Sequence, residues 1–503
     1  MNTKPSKVTW LSDASRDLTP DWIEQISNEL QTAFASKELQ TIIVKQRLSG
    51  FDNNPQKKLI LGIEVQFTSG AHSSVVKIGK TSEVSRDYTA WQTCAAERNV
   101  TSRLFIAPRM ANVGNDRVVI VYPDVYQFYL NDSDLRNEVG PNDLEAIVKS
   151  SIESDLPTSD SVERVLTQVF SEAHRCFYRD ALEPTDNSSV SYAIRRSLRI
   201  GESDDVLKRW NEPGFLKLRR GCDWMTSVNR MPDALNRPEY IDPVDFLRWV
   251  LADNLGGDPV KDSEKPRLAP TAQSGKIPKM LVGPAHGDLH GRNIIAGVVR
   301  GQAEWPAVFD FDKMDNDNIV AWDFAKLELE LKCRVFHDLI DTHGKRLESR
   351  RLLNIPEKQP IPDRIQLSPD EQRVADRIER MEIMFAIERL LLDGTKRLSS
   401  ANQAMGYDQD FMQSIPASTA LGRGLRIIFR IRCEAALFLG FARQGRETAW
   451  IDEYLFSLVV FGVTSLKWHS ANEHLLWKLM SSGVAAAGMS SFAWTGSVPV
   501  PTD

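Results

Sequence analysis

The stretch Ala285 to Lys313 reads AHGDLHGRNIIAGVVRGQAEWPAVFDFDK. Two apolar, β-branched runs, NIIAGVV and PAVFDF, flank the turn-forming RGQAE, so the segment reads as a β-hairpin. Centring that hairpin near Gln302 sets Ile294 opposite Asp310 and leaves Asn293 and Asp310 side by side at its open end. An amide oxygen and a carboxylate held together are a hard oxygen-donor pair. They suit Mg²⁺, which takes one or two protein ligands and completes its shell with phosphate oxygens and water. Asp288 precedes Asn293 by five residues in a loop with two glycines, Gly287 and Gly291, and is placed to face the same space. A proton-accepting carboxylate is therefore expected beside a cation site.

Upstream, the periodicity changes. Pro20 to Phe34 reads as a helix, with Thr19 as N-cap and Pro20 at the first helical position. TIIVKQRL (Thr41 to Leu48), LILGIEVQF (Leu59 to Phe67) and SSVVKIG (Ser73 to Gly79) are short β-branched runs separated by turn formers, which predicts an antiparallel meander. A helix is expected from about Ser82 to Glu97. A second hairpin follows, made of PRMAN, a Gly-Asn-Asp turn and RVVIVY (Arg117 to Tyr122). Beyond it, Asn131 to Asp160 carries eight acidic and two basic residues and reads as a solvated connection. Helical periodicity returns at Val162 to Arg179 and Ala321 to Leu347. Three long helical segments, Pro369 to Leu398, Leu421 to Arg446 and Trp450 to Met480, come last.

The pattern H-x-D-x-x-x-x-N, from His286 through Asp288 to Asn293, followed by a strand-borne D-F-x at Asp310, resembles the catalytic and metal-binding segments of the protein-kinase-like fold. Gly287 and His290 make the segment most similar to the aminoglycoside phosphotransferase branch, because eukaryotic protein kinases usually carry Arg, and often Lys, at those two positions. The resemblance implies an α+β, two-lobed fold. Residues 1–123 would form a small antiparallel five-stranded N-lobe that binds nucleotide, and residues 124–480 a large, mainly helical C-lobe with an insertion over about 180–279, followed by a tail at 481–503. It implies Asp288 as catalytic base, Asn293 and Asp310 as Mg²⁺ ligands and His286 as a structural member of the loop. Lys77, in the third strand, would contact the α- and β-phosphates of ATP. Its acidic partner is expected on the following helix at Asp87, with Glu83 as the alternative; the family's usual residue is Glu, one methylene longer than Asp. Ser49, Gly50 and Phe51 would fold over the phosphates, and Val121 and Tyr122 would open the hinge that meets adenine through its backbone. Asp323 in AWDFAKLELE resembles the buried Asp that braces the catalytic loop. With no Arg at position 287, the usual partner of an activation-loop phosphate is missing, so a constitutive geometry is implied.

The segments HGDLHGRN, VFDFDK, WDFAKLE, RIRCEAA and WIDEYLFSLVVF resemble more closely a bacterial phosphotransferase-like group, the ternary complex-associated domain proteins, over most of the chain. Such proteins tend to be encoded in conflict and defence gene neighbourhoods. The implied activity is ATP- and Mg²⁺-dependent transfer of the γ-phosphate to a hydroxyl of an unidentified acceptor, small molecule or macromolecule, with partner proteins of a defence system. A nucleotide-binding module with little turnover is the alternative. A nucleotidyl-transfer variant is disfavoured because its known form lacks the loop base, retained here as Asp288. Gly287-Asp288-Leu289-His290-Gly291 also fits the first metal motif of metallophosphoesterases, but the GDxxDRG and GNH that family needs are absent from the sequence.

Composition is ordinary for a globular protein. The 503 residues carry 62 Lys+Arg against 68 Asp+Glu, a net charge of −6, with 42% hydrophobic and 26% charged residues. A mildly acidic balance argues against broad nucleic-acid coating, although a local basic patch is not excluded. Ile194 to Arg220 holds eight basic and four acidic residues, and Arg423, Arg426, Arg430 and Arg432 recur along one helical segment; both read as solvated helix faces. The N-terminus has no apolar signal core. The most apolar run, Tyr454 to Leu466, is broken by Ser457, Gly462, Thr464 and Ser465, so no membrane partner is expected. Five dispersed cysteines without a CxxC pair suggest thiols in a reducing compartment, and the expected location is the cytoplasm.

Overall fold

The β-branched runs between Thr41 and Tyr122 are strands, and tertiary pairing adds one more. The computed structural model describes residues 7–48, 57–123, 141–153, 159–185, 188–228, 239–254, 277–299, 302–340, 342, 347–355, 368–398, 409–441, 449–467 and 473–489. Ser49, Gly50 and Phe51 lie outside them. The chain is mixed α+β and divides into two compact units: residues 1–147, 164–180 and 284–316 form the first, and 148–163, 181–283 and 317–503 the second.

The first unit is built on a six-stranded sheet. Its strands are β1 (Lys7–Trp10), β2 (Leu39–Arg47), β3 (Lys58–Phe67), β4 (Gly70–Lys80), β5 (Arg109–Gly114) and β6 (Arg117–Tyr122), in the order β1-β2-β3-β4-β6-β5. Five strands were expected. The sixth, β1, is a four-residue edge strand running parallel to β2, too short to leave a periodicity of its own. The helix Pro20–Ala33, capped by the Thr19 side chain, lays Ile26 and Leu30 on one sheet face against Leu59, Leu61, Val76, Ile78, Val119 and Val121. A bidentate pair between Arg117 and Glu29, with Nε to Oε1 at 2.6 Å, ties that helix to β6. Because side chains alternate along a strand, Lys77, Ile120 and Tyr122 project from the opposite face. That face is covered too, so β6 is buried along its whole length and reads as a continuous apolar run rather than an alternating one.

The decisive hairpin also lies in the first unit. Its strands are Ile294–Val299 and Gln302–Val308, with Pro141–Asp143 pairing on the outer side. The register differs from the expected one by two residues: Ile294 faces Val308, not Asp310. The second strand begins at Gln302, inside the stretch assigned to the turn, and a bulge between Glu304 and Ala307 takes up the slack, with Trp305 at φ 54°. Asn293 nevertheless stays at the open end, where the Phe309 N–H donates to its carbonyl at 3.2 Å, one residue before Asp310.

The second unit is helical. The helix Pro369–Arg397 opens on a full capping box: Ser368 Oγ accepts the Glu371 N–H at 3.3 Å, and Glu371 accepts the Ser368 N–H at 2.8 Å. Three expectations are corrected here. The segment from Trp450 is two helices, Ala449–Thr464 and Glu473–Gly488, and the second continues eight residues past Met480 into the stretch assigned to the tail. The two pack closely: a Cβ on Gly462 would stand 1.8 Å from Ser482 Oγ, so only glycine fits. The acidic connection contains a helix, Leu144–Glu153, in which Val148 and Ile152 are buried. And Arg423, Arg430 and Arg432 are buried rather than solvated. Arg432 pairs with Glu328 at 2.6 Å, Arg430 with Glu434 at 2.5 Å, and Arg423 donates to the Ile152 carbonyl. The helix continuing through Lys467 is long and apolar enough to cross a membrane by length and composition, with 83% of its apolar window buried inside the structure.

Candidate active site

Lys77 is wholly buried in β4. An ammonium out of water is costly unless it is paired and hydrogen-bonded. Two carboxylates meet it: Asp87 of the short helix Arg86–Trp91, and Asp310 just past the hairpin. Burial alone would drive the ammonium to release its proton; the charges of Asp310 and Asp87 outweigh that and hold it protonated well above the usual lysine range. Burial likewise disfavours the Asp310 carboxylate, yet Lys77, helped by Lys58, holds it below the ordinary carboxylate range. Asp87 goes the other way. Burial raises it, Lys77 opposes, and the nearby charges of Asp310 and Asp312 add to the rise. Glu83, the alternative partner, is exposed.

The loop before the hairpin is closed by its own hydrogen bonds. Gly287 turns at φ 73°, a conformation glycine adopts without strain. The buried His286 ring places Nε2 3.1 Å from the Phe309 carbonyl, while its Nδ1 accepts the Asp288 N–H at 3.3 Å. Those partners assign the proton to Nε2. Asn293 is buried, and its Nδ2 donates to the Asp288 carbonyl at 2.9 Å, which leaves the amide oxygen as its acceptor end. Asp288 itself is half-buried and Asp310 keeps 13% of its side chain exposed. Asp310 also takes φ 69°, in the left-handed region that aspartate tolerates better than most residues. Phe311, fully buried, sets its ring at a tilt 4.7 Å from Trp91, 5.3 Å from His286 and 6.0 Å from Tyr122. One aromatic side chain thus connects the helix of Asp87, the loop of Asp288 and β6.

Two features escaped the sequence analysis. Asp312 brings a third carboxylate, and ligand atoms of Asp87, Asp310 and Asp312 lie within 4.8 Å of one another. The D-x-D spacing was the available signal. The second is the Tyr122 side chain, whose hydroxyl donates to Asp87. Val121 faces the apolar core. Asp323 is wholly buried in the first turn of the helix Ala321–Leu331 of the second unit.

The donor set fits Mg²⁺. The acids are hard oxygen ligands, and Lys77 with three carboxylates leaves an excess of negative charge that a divalent cation relieves. Asp312 Oδ1 is buried and accepts no hydrogen bond among the described residues, while Oδ2 lies 3.7 Å from Lys313. Elsewhere in the first unit a cavity of about 730 Å³ is lined by Ser102, Arg103, Glu172, Arg175 and Trp305, and it contains none of the expected residues.

Residues 235–467, under half of the chain, match the family described as Ternary complex associated domain 9. The match takes in the loop, the hairpin and Asp323, and it ends short of the breadth over which the resemblance was drawn. No curated protein sequence matches the chain. Among solved structures, Plasmodium vivax ethanolamine kinase aligns over 85% of this chain and 79% of its own, at 12% identity and a TM-score of 0.28. A superposition that loose does not bear on function.

Proposed function

We propose that this protein is an ATP- and Mg²⁺-dependent phosphotransferase of the two-lobed kinase-like kind, moving the γ-phosphate to a hydroxyl of an acceptor that its sequence does not name. The observation that carries this reading is the buried Lys77 held between Asp87 and Asp310, in the same unit as the His286–Asn293 loop and its carboxylate Asp288. A buried lysine between two acids is costly to maintain, and perturbed ionisable groups of this kind gather at functional sites.

In this reading Asp310, Asn293 and Asp312 hold Mg²⁺, and Lys77 holds the α- and β-phosphates. A cation held there would supply charge neutralisation for the transferring phosphoryl group. Asp288 orients the acceptor hydroxyl and takes its proton as the acceptor oxygen bonds to the γ-phosphorus and the γ-phosphorus–oxygen bond to the β-phosphate breaks, releasing ADP. His286 keeps the loop in shape through the Phe309 carbonyl and the Asp288 N–H. The backbone at Val121 and Tyr122 would meet adenine. A cytoplasmic location and a role beside defence-system partners belong to the same proposal.

The test is release or transfer of ³²P from γ-labelled ATP, alone and with cell extract, in Mg²⁺ and in EDTA. Transfer or hydrolysis only with the metal is expected. Binding of Mg²⁺-ATP without any turnover would favour the binding-module reading instead.

A further inference from the structure

We propose that the Tyr122 hydroxyl is the positioning group of this site: it fixes the Asp87 carboxylate so that an acid one methylene shorter than glutamate meets Lys77. The inference depends on the phosphotransferase reading only for what Lys77 does once nucleotide is bound.

Tyr122 ends β6 and is 0% exposed. In the sheet register Val75 faces Tyr122 and Lys77 faces Ile120, so lysine and tyrosine are diagonal neighbours on one face. The phenol hydroxyl donates to Asp87 Oδ2, the same oxygen that accepts from Lys77. The Lys77 Nζ stands 5.8 Å from the centre of the Tyr122 ring. That ring is itself clamped, 5.7 Å from Phe309 and 6.0 Å from Phe311, the two residues flanking Asp310. The hydroxyl therefore has little freedom to be anywhere else.

Asp87 sits in a six-residue helix, Arg86–Trp91, that leads directly into a π-helical turn at Gln92–Ala96. An aspartate carboxylate has two torsions to settle, one about Cα–Cβ and its own rotation about Cβ–Cγ. A single ammonium donor leaves that rotation loose, because the lysine also answers to Asp310; a second, rigidly held donor fixes it. Glutamate at this position would carry one methylene more reach and an extra torsion, so it could find the lysine without the phenol's help. The two positions should therefore trade. Loss of the hydroxyl uncouples Lys77 from Asp87, and lengthening the acid in that background restores the pair.

The experiment reads the lysine directly. Nucleotide-free protein is treated with an amine-acylating reagent, and modification of Lys77 is followed by mass spectrometry against Lys332, also 0% exposed but in the second unit. Tyr122→Phe keeps the ring and removes one hydrogen bond, worth about a tenfold change. Lys77 labelling should rise about tenfold with Lys332 unchanged, and Asp87→Glu in the Tyr122→Phe background should return it to within about threefold of wild type. With Mg²⁺-ATP the same pair should show a loss and recovery of kcat larger than any change in KM. Equal rises at Lys77 and Lys332 would mean general loosening, and no rise, or no recovery in the double variant, would equally overturn the positioning role. If wild-type protein neither binds nor turns over Mg²⁺-ATP, the phosphotransferase reading falls, while the labelling ratio still decides the role of Tyr122.

Discussion

Lys77, Asp87 and Asp310 meet although 233 residues separate the lysine from Asp310, and each is intelligible only through the others. The lysine stays charged because two acids offset its burial; Asp310 stays ionised because the lysine is there. Asp288 stands outside this set of charges, on a loop ordered by His286 and Asn293. That separation predicts a difference between two variants. Asp310→Ala removes a metal ligand and leaves a buried ammonium with one partner, so Mg²⁺-dependent ATP binding and turnover should both be lost. Asp288→Asn keeps size and removes basicity, so Mg²⁺-ATP binding should persist while phosphoryl transfer falls by about 10²–10⁴. Because phosphoryl transfer passes through a loose transition state, the lower end of that range is expected. Binding is read by the shift in melting temperature and turnover by ATP hydrolysis. Loss of binding in Asp288→Asn with binding intact in Asp310→Ala would reverse the two assignments.

At the scale of elements, the strands were legible because β-branched runs bounded by turn formers leave few alternatives, and Lys77 stood out as the one charge inside VVKIG. The hairpin's register was not legible: pairing already begins between Val299 and Gln302, ahead of the expected centre, and the bulge at Trp305 and Pro306 recovers one residue of the offset, leaving Ile294 two residues from its expected partner. The helical unit shows a deeper limit. Arginines along Ala420–Phe441 looked like a solvated face because charge spacing on one helix says nothing about partners on another; Arg432 finds Glu328 104 residues away. Glu328 also accepts from Lys332 at 2.5 Å and from Tyr454 at 2.5 Å, while Lys332 reaches Glu388 at 2.8 Å, all of them buried. Burial would raise the Glu328 carboxyl, but Arg432 and Lys332 bring it down from 4.5 to about 2. A lowered folded-state value stabilises the fold above the unfolded value and loses that contribution as the pH falls toward the folded one. Between pH 5 and pH 3 this group should therefore cost wild-type protein about 2 kcal/mol. Arg432→Met should lower stability at pH 7 by about 3–5 kcal/mol, the cost of stranding a buried charge, and flatten the acid limb. Urea melts at the three pH values measure both; an unchanged acid limb in Arg432→Met would show that the arginine does not hold Glu328 down.

For the whole molecule, the five cysteines offer a count of opening that needs no assumption about the acceptor. All five are buried thiols. Cys94 and Cys176 belong to the first unit, with the candidate site, and Cys222, Cys333 and Cys433 to the second. Burial pushes the Cys176 thiol up to about 11 and that of Cys333 up to about 12, so the reactive thiolate is scarce at pH 8 in the folded state. Labelling by a disulfide reagent should then be slow in native protein and reach five thiols after denaturation without reductant. A ligand that binds only the folded first unit divides its opening constant by one plus the ratio of free ligand to Kd. At about a hundredfold saturation that is about 2.7 kcal/mol, or a hundredfold in rate when labelling follows opening. Mg²⁺-ATP should therefore slow modification of Cys94 and Cys176 about a hundredfold, and ATP in EDTA should not, because the acids around Lys77 repel phosphates until a cation joins them. Equal protection with and without the metal would mean that nucleotide binds without Asp310, and the ligand set assigned to Mg²⁺ would have to be abandoned.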